Sequence, residues 1–233
     1  MRARQIAPPL VLTRTEVMAG ISEYCERVTD LIRSLDAGEW TTESRCAGWQ
    51  VRDVAGHLAG LFTDVALGRM AGQGLPEVTA AQAARYRDAS PAKVARELAR
   101  AGRLCGRALD EFTDDAWLAK APGGFPGPLR RAVLVLWYEL YVHGDDIISA
   151  VGRTPDRGSG LRAGVVHVAE TLGLWGWGPA TLVLTGIERL DVRGGGELVA
   201  GDPRDFLLAA TGRMNPRPLG LDERVNIYRP ADS

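Results

Sequence analysis

The chain has 233 residues, of which 45% are hydrophobic and 24% charged, and its formal net charge is −1 at neutral pH. This composition is ordinary for a soluble globular protein, and the near-zero charge argues against nucleic acid or an anionic membrane as a partner. No apolar run reaches the ~18–20 residues that a membrane span needs, and the first eleven residues contain no signal-peptide core. Cys25, Cys46 and Cys105 form no C-x-x-C pair, which favours reduced thiols and a cytoplasmic protein.

Apolar residues recur at three- and four-residue intervals through much of the first 152 residues, as in amphipathic helices. Thr13 or Thr15 can cap the first helix, and Ser90 followed by Pro91 can start the third. The residues before the fourth helix are rich in Gly and Pro, which is typical of a loop. The sequence predicts helices at 13–35, 51–70, 90–112 and 128–152, a short helical segment at 80–87 and a loop at 113–127.

The pattern changes after Gly152, where a polar, turn-rich linker begins. Short apolar runs separated by Gly-rich turns then predict strands. We expect a helix at 161–174, strands at 180–185, 189–193 and 197–200, a helix at 204–211 capped by Asp202, and a final strand at 225–228. The predicted fold class is α+β, with a helical domain over residues 1–152 and a small α+β domain over residues 153–233.

Glu139 and His143 interrupt the apolar run of the fourth helix. Because they are four residues apart, they share one face of the helix, and burying them without partners would cost several kcal/mol. A bound divalent cation would offset that cost. Asp146 follows three residues later, either as an acceptor that orients a ligand imidazole or as a carboxylate solvated near the helix end.

His57, on the apolar side of the second helix, is the third candidate ligand. Alone it is more typical of a hydrogen-bonded core histidine, but Glu139 and His143 offer it partners. His57 lies early in its helix and the other two lie late in theirs, so these helices must run antiparallel for the side chains to meet. The long 71–89 connection permits the required up-down-down-up order of four helices.

Two imidazoles and one carboxylate suit zinc with a fourth position left open for water or substrate. The same set can hold Fe(II), so the ligand types alone leave the metal open. Cys46 either neighbours the metal or packs as a small buried thiol. His167 lies outside this pattern, and we expect it to be structural.

Two segments, residues 46–58 (CAGWQVRDVAGHL) and 139–146 (ELYVHGDD), together resemble the mycothiol-dependent maleylpyruvate isomerase family of DinB-like metalloenzymes. Residues 211–213 and 225–229 also look like the family's small C-terminal domain, which is similar to sterol carrier proteins. The resemblance implies a DinB-like four-helix bundle that binds zinc through His57, Glu139 and His143. It also implies mycothiol, a low-molecular-weight thiol, as co-substrate, bound between the bundle and the C-terminal domain together with a small-molecule substrate.

The family's reaction is thiolate addition to an activated double bond, rotation, and elimination to the trans isomer. It implies an arginine of the C-terminal domain that holds a substrate carboxylate in a bidentate fork, and Arg213 is the candidate here. The other interpretation of Arg213 is a cap for the last carbonyls of its helix. Three alternatives stay open: a mycothiol S-transferase acting on an electrophile, a non-catalytic metal- or small-molecule-binding protein, and another metal-dependent reaction on a carboxylate substrate.

Overall fold

The computed structural model describes residues 12–229. The first eleven residues, in which the sequence shows no signal-peptide core, lie outside this range. The helices are α1 (Arg14–Arg33), α2 (Ala37–Trp40), α3 (Val51–Ala66), α4 (Pro76–Ala84), α5 (Pro91–Asp110), α6 (Asp114–Leu118), α7 (Leu129–Ala150), α8 (Ser159–Leu174) and α9 (Pro203–Ala210), and the strands are β1 (Ala180–Leu184), β2 (Leu190–Val192) and β3 (Glu197–Gly201). No helix within residues 12–229 is both long and apolar enough to cross a bilayer.

Local capping chemistry fixes several helix ends. Thr13 forms a capping box with Glu16 at the start of α1, and the Ser90 hydroxyl accepts from the Lys93 N–H at the start of α5, as predicted. The predicted end of the second helix at residue 70 is wrong, because α3 ends at Ala66. Gly68 has a φ of 71°, and the Arg69 N–H donates to the Asp64 carbonyl, which closes the helix in a Schellman motif.

The four long helices α1, α3, α5 and α7 each contact two of the others. Gly20 of α1 lies against Trp137 of α7, and Val28 lies further along against Gly144, so these helices run parallel. Arg14 donates to the Leu109 carbonyl and the Cys25 thiol to that of Leu98, so α1 and α5 run antiparallel. Contacts of Cys46 with Asp146 and of His57 with Glu139 make α3 antiparallel to α7. Helix α4, in the connection between α3 and α5, packs on α3.

The C-terminal part begins with α8, which packs against α7 and also contacts α9 and β2. The small sheet has the order β2-β1-β3, with β1 antiparallel to β2 and parallel to β3. Its buried apolar residues join those of the long helices in one core. The α+β class is confirmed: the chain is rich in helix and carries one small sheet. The division into domains at residue 152 stays a prediction.

Two further expectations were wrong. The 113–127 segment contains α6, which forms because the Thr113 hydroxyl accepts from the Ala116 N–H and Trp117 is buried beneath it. The 225–228 segment is not a strand. Asp222 caps a single 3-10 turn at Glu223–Val225, and the Ile227 N–H donates to the Ala210 carbonyl at the end of α9. The alternation of apolar residues in the sequence is typical of a strand, but here it arises because the segment packs against the end of a helix.

Candidate metal centre

The side chains of His57, Glu139 and His143 meet between α3 and α7. The Nε2 atoms of His57 and His143 lie 3.1 Å and 3.2 Å from Oε2 of Glu139. The two imidazole rings stand edge to face with their centroids 5.0 Å apart. One ligand atom from each residue lies within 4.8 Å of the others. The structure therefore brings together the three residues that the sequence singled out as ligands.

The charges at this point are strongly coupled. Burial raises the pKa of Glu139, but hydrogen bonds from His143 and His57 outweigh it and hold the pKa well below its usual value. Burial lowers the pKa of His143, whereas hydrogen bonds with Asp146, Cys46 and Glu139 raise it, with a net result well above its ordinary value. The centre thus favours a carboxylate at Glu139 and positive charge beside it.

Behind His57, a buried amide fixes the orientation of the ring. Nε2 of Gln82 lies 3.0 Å from a carboxylate oxygen of Asp64, which can only accept, so the amide nitrogen must face Asp64. Oε1 of Gln82 then faces Nδ1 of His57 at 3.0 Å. Nδ1 must carry a proton and donate it to this oxygen, so Nε2, directed at Glu139, is the nitrogen that a neutral ring would offer to a metal. Arg85 forms an ion pair with Asp64 at 3.0 Å, and this pair ends the series of hydrogen bonds that begins at His57.

Behind His143, a buried carboxylate fixes the orientation of the imidazole ring. Oδ2 of Asp146 lies 3.0 Å from Nδ1 of His143, and Asp146 is fully buried. Arg213 donates to both oxygens of Asp146 through Nε and Nη2, and Arg45 donates to Oδ1 at 2.9 Å. Burial raises the pKa of Asp146, but His143 and Arg213 outweigh it and hold the pKa far below its usual value. Asp146 is therefore not solvated near the helix end: it is a buried acceptor that orients the His143 ring, and the role of that ring as a metal ligand stays a prediction.

These contacts test whether a divalent metal fits the site. With both Nδ1 atoms donating to acceptors behind them, each Nε2 atom lies about 3 Å from the Glu139 carboxylate, where it can donate a second ring proton or, on a neutral ring, present a lone pair to a metal. Electron-rich atoms converge in this way only around positive charge, either protons on the rings or a metal cation. Two neutral imidazoles and a carboxylate, each imidazole with an acceptor on its other nitrogen, form a donor set typical of zinc. The residues present fit a divalent metal.

A second group of potential ligands, Cys46, His143 and Asp146, lies next to the first. It suits a cation less well, because the Asp146 charge is already neutralised by Arg45 and Arg213. The Cys46 thiol donates to Asp146 at 3.2 Å and lies 3.9 Å from Nδ1 of His143. Cys46 is thus a half-buried neighbour of the centre.

Arg213 reaches the centre from the end of α9. Its guanidinium forks onto Asp146, and Nη1 donates to the Thr211 carbonyl at 3.3 Å. Nη2 also donates to the Cys46 sulfur at 3.9 Å. The predicted role of Arg213 as the fork for a substrate carboxylate stays a prediction.

The sequence reasoning missed Gln82, which is almost wholly buried. The sequence offered one sign of it: a single amide side chain with two alanines on each side, at residues 80–84. A second signal was the spacing of Gly56 and Gly60 on α3. An added Cβ at Gly60 would lie 2.6 Å from Cβ of Gln82, and one at Gly56 would lie 3.0 Å from the Ala83 carbonyl oxygen. These glycines let α4 approach closely enough for Gln82 to reach His57.

Comparisons with known proteins identify a family and a similar fold. Residues 21–148 match the family described as the mycothiol maleylpyruvate isomerase N-terminal domain. The fold is similar to a crystal structure of the mycothiol-dependent maleylpyruvate isomerase, with a TM-score of 0.63 and 17% identity, and to that of a histidine-to-alanine mutant of that enzyme, with 0.64 and 18%. Each of these two matches covers 87% of this chain and 90% of the matched crystal-structure chain. No curated protein matches the sequence. Because the family match spans more than half of its residues, the chain belongs to the mycothiol maleylpyruvate isomerase family.

Proposed function

We propose that the chain is a zinc-dependent enzyme of the maleylpyruvate isomerase type that uses mycothiol as co-substrate. The observation that carries the proposal is the convergence of two imidazole Nε2 atoms on Glu139 Oε2, each ring held at Nδ1 by a buried acceptor. A metal at this point would have three protein ligands and an open position. The zinc assignment rests on the chemistry of the donors, and the thiol and reaction rest on the family.

In this proposal His57, Glu139 and His143 hold the metal, while Gln82 and Asp146 fix the direction of the two rings. Bound zinc would lower the pKa of a thiol and present it as the thiolate. The thiolate adds to the conjugated double bond of a cis substrate, forming a C–S bond as the π electrons move to the conjugated oxygen. The remaining single bond rotates, and elimination restores the double bond as trans and releases the thiolate. Arg213 would bind a substrate carboxylate.

We propose further that the helices of residues 1–152 form a DinB-like four-helix bundle and that residues 153–233 form a sterol-carrier-like domain. The directions of α1, α3, α5 and α7 support the bundle. The protein would work in the cytoplasm, which the free thiols of Cys25, Cys46 and Cys105 suit.

Metal analysis tests the first half of the proposal. Purified protein supplied with zinc should retain about one ion per chain by plasma mass spectrometry. The Glu139→Ala variant should lose it. The matched control is His167→Gln, at the third histidine of the chain, which should keep the ion. Folded protein that retains no divalent metal would contradict the proposal.

The second half is tested by adding mycothiol and maleylpyruvate to the zinc protein and following the trans product. Conjugation of the thiol to an electrophile without isomerisation would favour the S-transferase. Thiol binding without either reaction would favour a binding protein. Absence of thiol binding at millimolar concentration would exclude the co-substrate role.

A further inference from the structure

The C-terminal segment that carries Tyr228 packs beside the loop that carries Arg213. The Ile227 N–H donates to the Ala210 carbonyl, and Asn226 lies against Gly212, where an added Cβ would come within 2.8 Å of its amide nitrogen. The Asn226 side chain also accepts from the Tyr228 N–H at 2.9 Å. The loop after α9 that carries Arg213 and the segment that carries Tyr228 are therefore fixed against each other.

Tyr228 and Tyr138 share one hydrogen bond between their hydroxyls, 2.7 Å apart. Tyr138 is wholly buried, its ring packs on His167, and within residues 12–229 Tyr228 is the one hydrogen-bond partner recorded for its hydroxyl. A buried hydroxyl left without an acceptor is costly, so Tyr138 donates and Tyr228 accepts. The proton of Tyr228 then has no acceptor among the described residues. It is a donor available to a ligand.

The position of Tyr228 suits a residue at the mouth of a site. The residue is 55% exposed, yet burial of its hydroxyl raises the pKa, Glu139 raises it further and Arg213 lowers it. One side of the residue thus meets solvent, while the hydroxyl lies in the electrostatic field of the metal centre. The net shift is upward, so the phenol keeps its proton.

We propose that the Tyr228 hydroxyl donates a hydrogen bond to the substrate oxygen that becomes negative when the thiolate adds to the double bond. This inference rests on the proposed function. As the C–S bond forms, the π electrons of the double bond move to the conjugated carbonyl oxygen, and the Tyr228 proton stays on the phenol while it stabilises that oxygen. On elimination the electrons return, the C–S bond breaks and the hydrogen bond weakens. Donors aimed at a developing negative charge stabilise the transition state more than the ground state.

Two variants that break the same tyrosine pair separate this role from a structural one. Tyr228→Phe removes the proposed donor, whereas Tyr138→Phe removes only its partner and keeps the Tyr228 hydroxyl. We expect kcat for isomerisation to fall about 100-fold in Tyr228→Phe, as for loss of one oxyanion donor. In Tyr138→Phe it should fall less than about fivefold, the effect of one ordinary hydrogen bond. Equal losses of kcat in the two variants would overturn the proposal.

A binding measurement keeps the test independent of turnover. Oxalate is a stable dianion whose charged oxygens provide a general test for a hydrogen-bond donor to an anion, and its affinity for each zinc-loaded protein can be measured by calorimetry. Tyr228→Phe should bind oxalate about tenfold more weakly than the wild type, since a hydrogen bond to a charged group is lost, and Tyr138→Phe should match the wild type. If the wild type isomerises nothing but this difference persists, the proposed reaction fails and the donor stands. If all three proteins bind oxalate equally, or none binds it, the donor role is overturned.

Discussion

The two imidazoles that meet at Glu139 are held from behind in different ways. His143 donates to a carboxylate, Asp146, whose charge two arginines balance. His57 donates to a neutral amide, Gln82, and a carboxylate enters only one step further back. Hydrogen bonds to charged acceptors are roughly twice as strong as those between neutral groups.

Because of this difference, Asp146 and Gln82 should affect their imidazole rings in different ways. An anionic acceptor increases the electron density on its imidazole and makes the ring a stronger metal ligand. An amide whose nitrogen is committed to Asp64 chiefly fixes the tautomer and the direction of the ring. We therefore expect the His143 side to contribute more to metal affinity and the His57 side to contribute more to geometry.

Removing the charge on the stronger side should have the largest effect. In Asp146→Asn the ring of His143 loses its anionic acceptor, and we expect zinc affinity to fall about 100-fold, the upper end for a residue that supports a ligand. Arg213 and Arg45 lose a buried counter-ion, which should reduce the free energy of unfolding by about 3–5 kcal/mol. Zinc titration against a chelator and denaturant unfolding measure the two effects.

The neighbouring carboxylate provides the control. Asp145 is also buried and pairs with Arg204 at 2.9 Å and with Arg45, and its recorded ion pairs within residues 12–229 do not include His143. Asp145→Asn should cost comparable stability but leave zinc affinity close to that of the wild type. Equal loss of zinc affinity in both variants would show that Asp146 acts through stability alone.

On the weaker side, Gln82→Leu should lower zinc affinity about tenfold, the lower end of the same range. His57 then has no acceptor for Nδ1, so its proton can move to Nε2 and block the metal. Gln73→Leu is the control, because Gln73 accepts from the same Gln82 amide at 3.0 Å without contacting His57. If Gln73→Leu weakens zinc binding as much as Gln82→Leu, the tautomer argument is wrong.

The approach of α4 to α3 can be disturbed without changing a polar group. A Cβ at Gly60 would lie 2.6 Å and 2.9 Å from Cβ and Cα of Gln82, so Gly60→Ala forces α4 outward. We expect a loss of about 1–3 kcal/mol in unfolding free energy, as for overpacking, with a smaller loss of zinc affinity. Gly106→Ala in α5 meets nothing within 4 Å and should stabilise the helix by up to about 1 kcal/mol.

The same contrast explains how far the sequence predicts the site. The contact of His143 with Asp146 joins residues three apart on one helix, so the spacing alone indicates it. The contact of His57 with Gln82 spans 25 positions, and that of Arg213 with Asp146 spans 67. Such contacts depend on how helices pack, which local patterns do not encode.

The secondary structure was also predictable where local contacts determine it and not where packing does. Helix starts were predictable where one side chain caps them, as at Thr13 and Ser90. The end of α3 depends on the left-handed conformation of Gly68, and no periodicity reveals it. Residues 225–228 misled because Val225 and Ile227 are buried in alternation against the end of a helix. An alternating pattern reports which side chains are buried and says nothing about the element that covers them.

His167 extends the comparison to a histidine outside the centre, and its effect should be confined to acid pH. Burial and, to a lesser extent, the charge of nearby Arg131 together lower the pKa of His167 to about 4, against a smaller opposing effect of Glu139. Between pH 6.5 and 4 the unfolded chain therefore binds a proton that the folded chain refuses, so this group costs stability as the pH falls through that range. We expect chelator-treated His167→Phe to lose about 2 kcal/mol less than the wild type between pH 7 and pH 5. The other ionisable groups are common to both proteins, so their contributions cancel in the difference. Identical pH profiles from denaturant unfolding would show that His167 already accepts its proton in the folded state, as the raised pKa of His143 allows that residue to do.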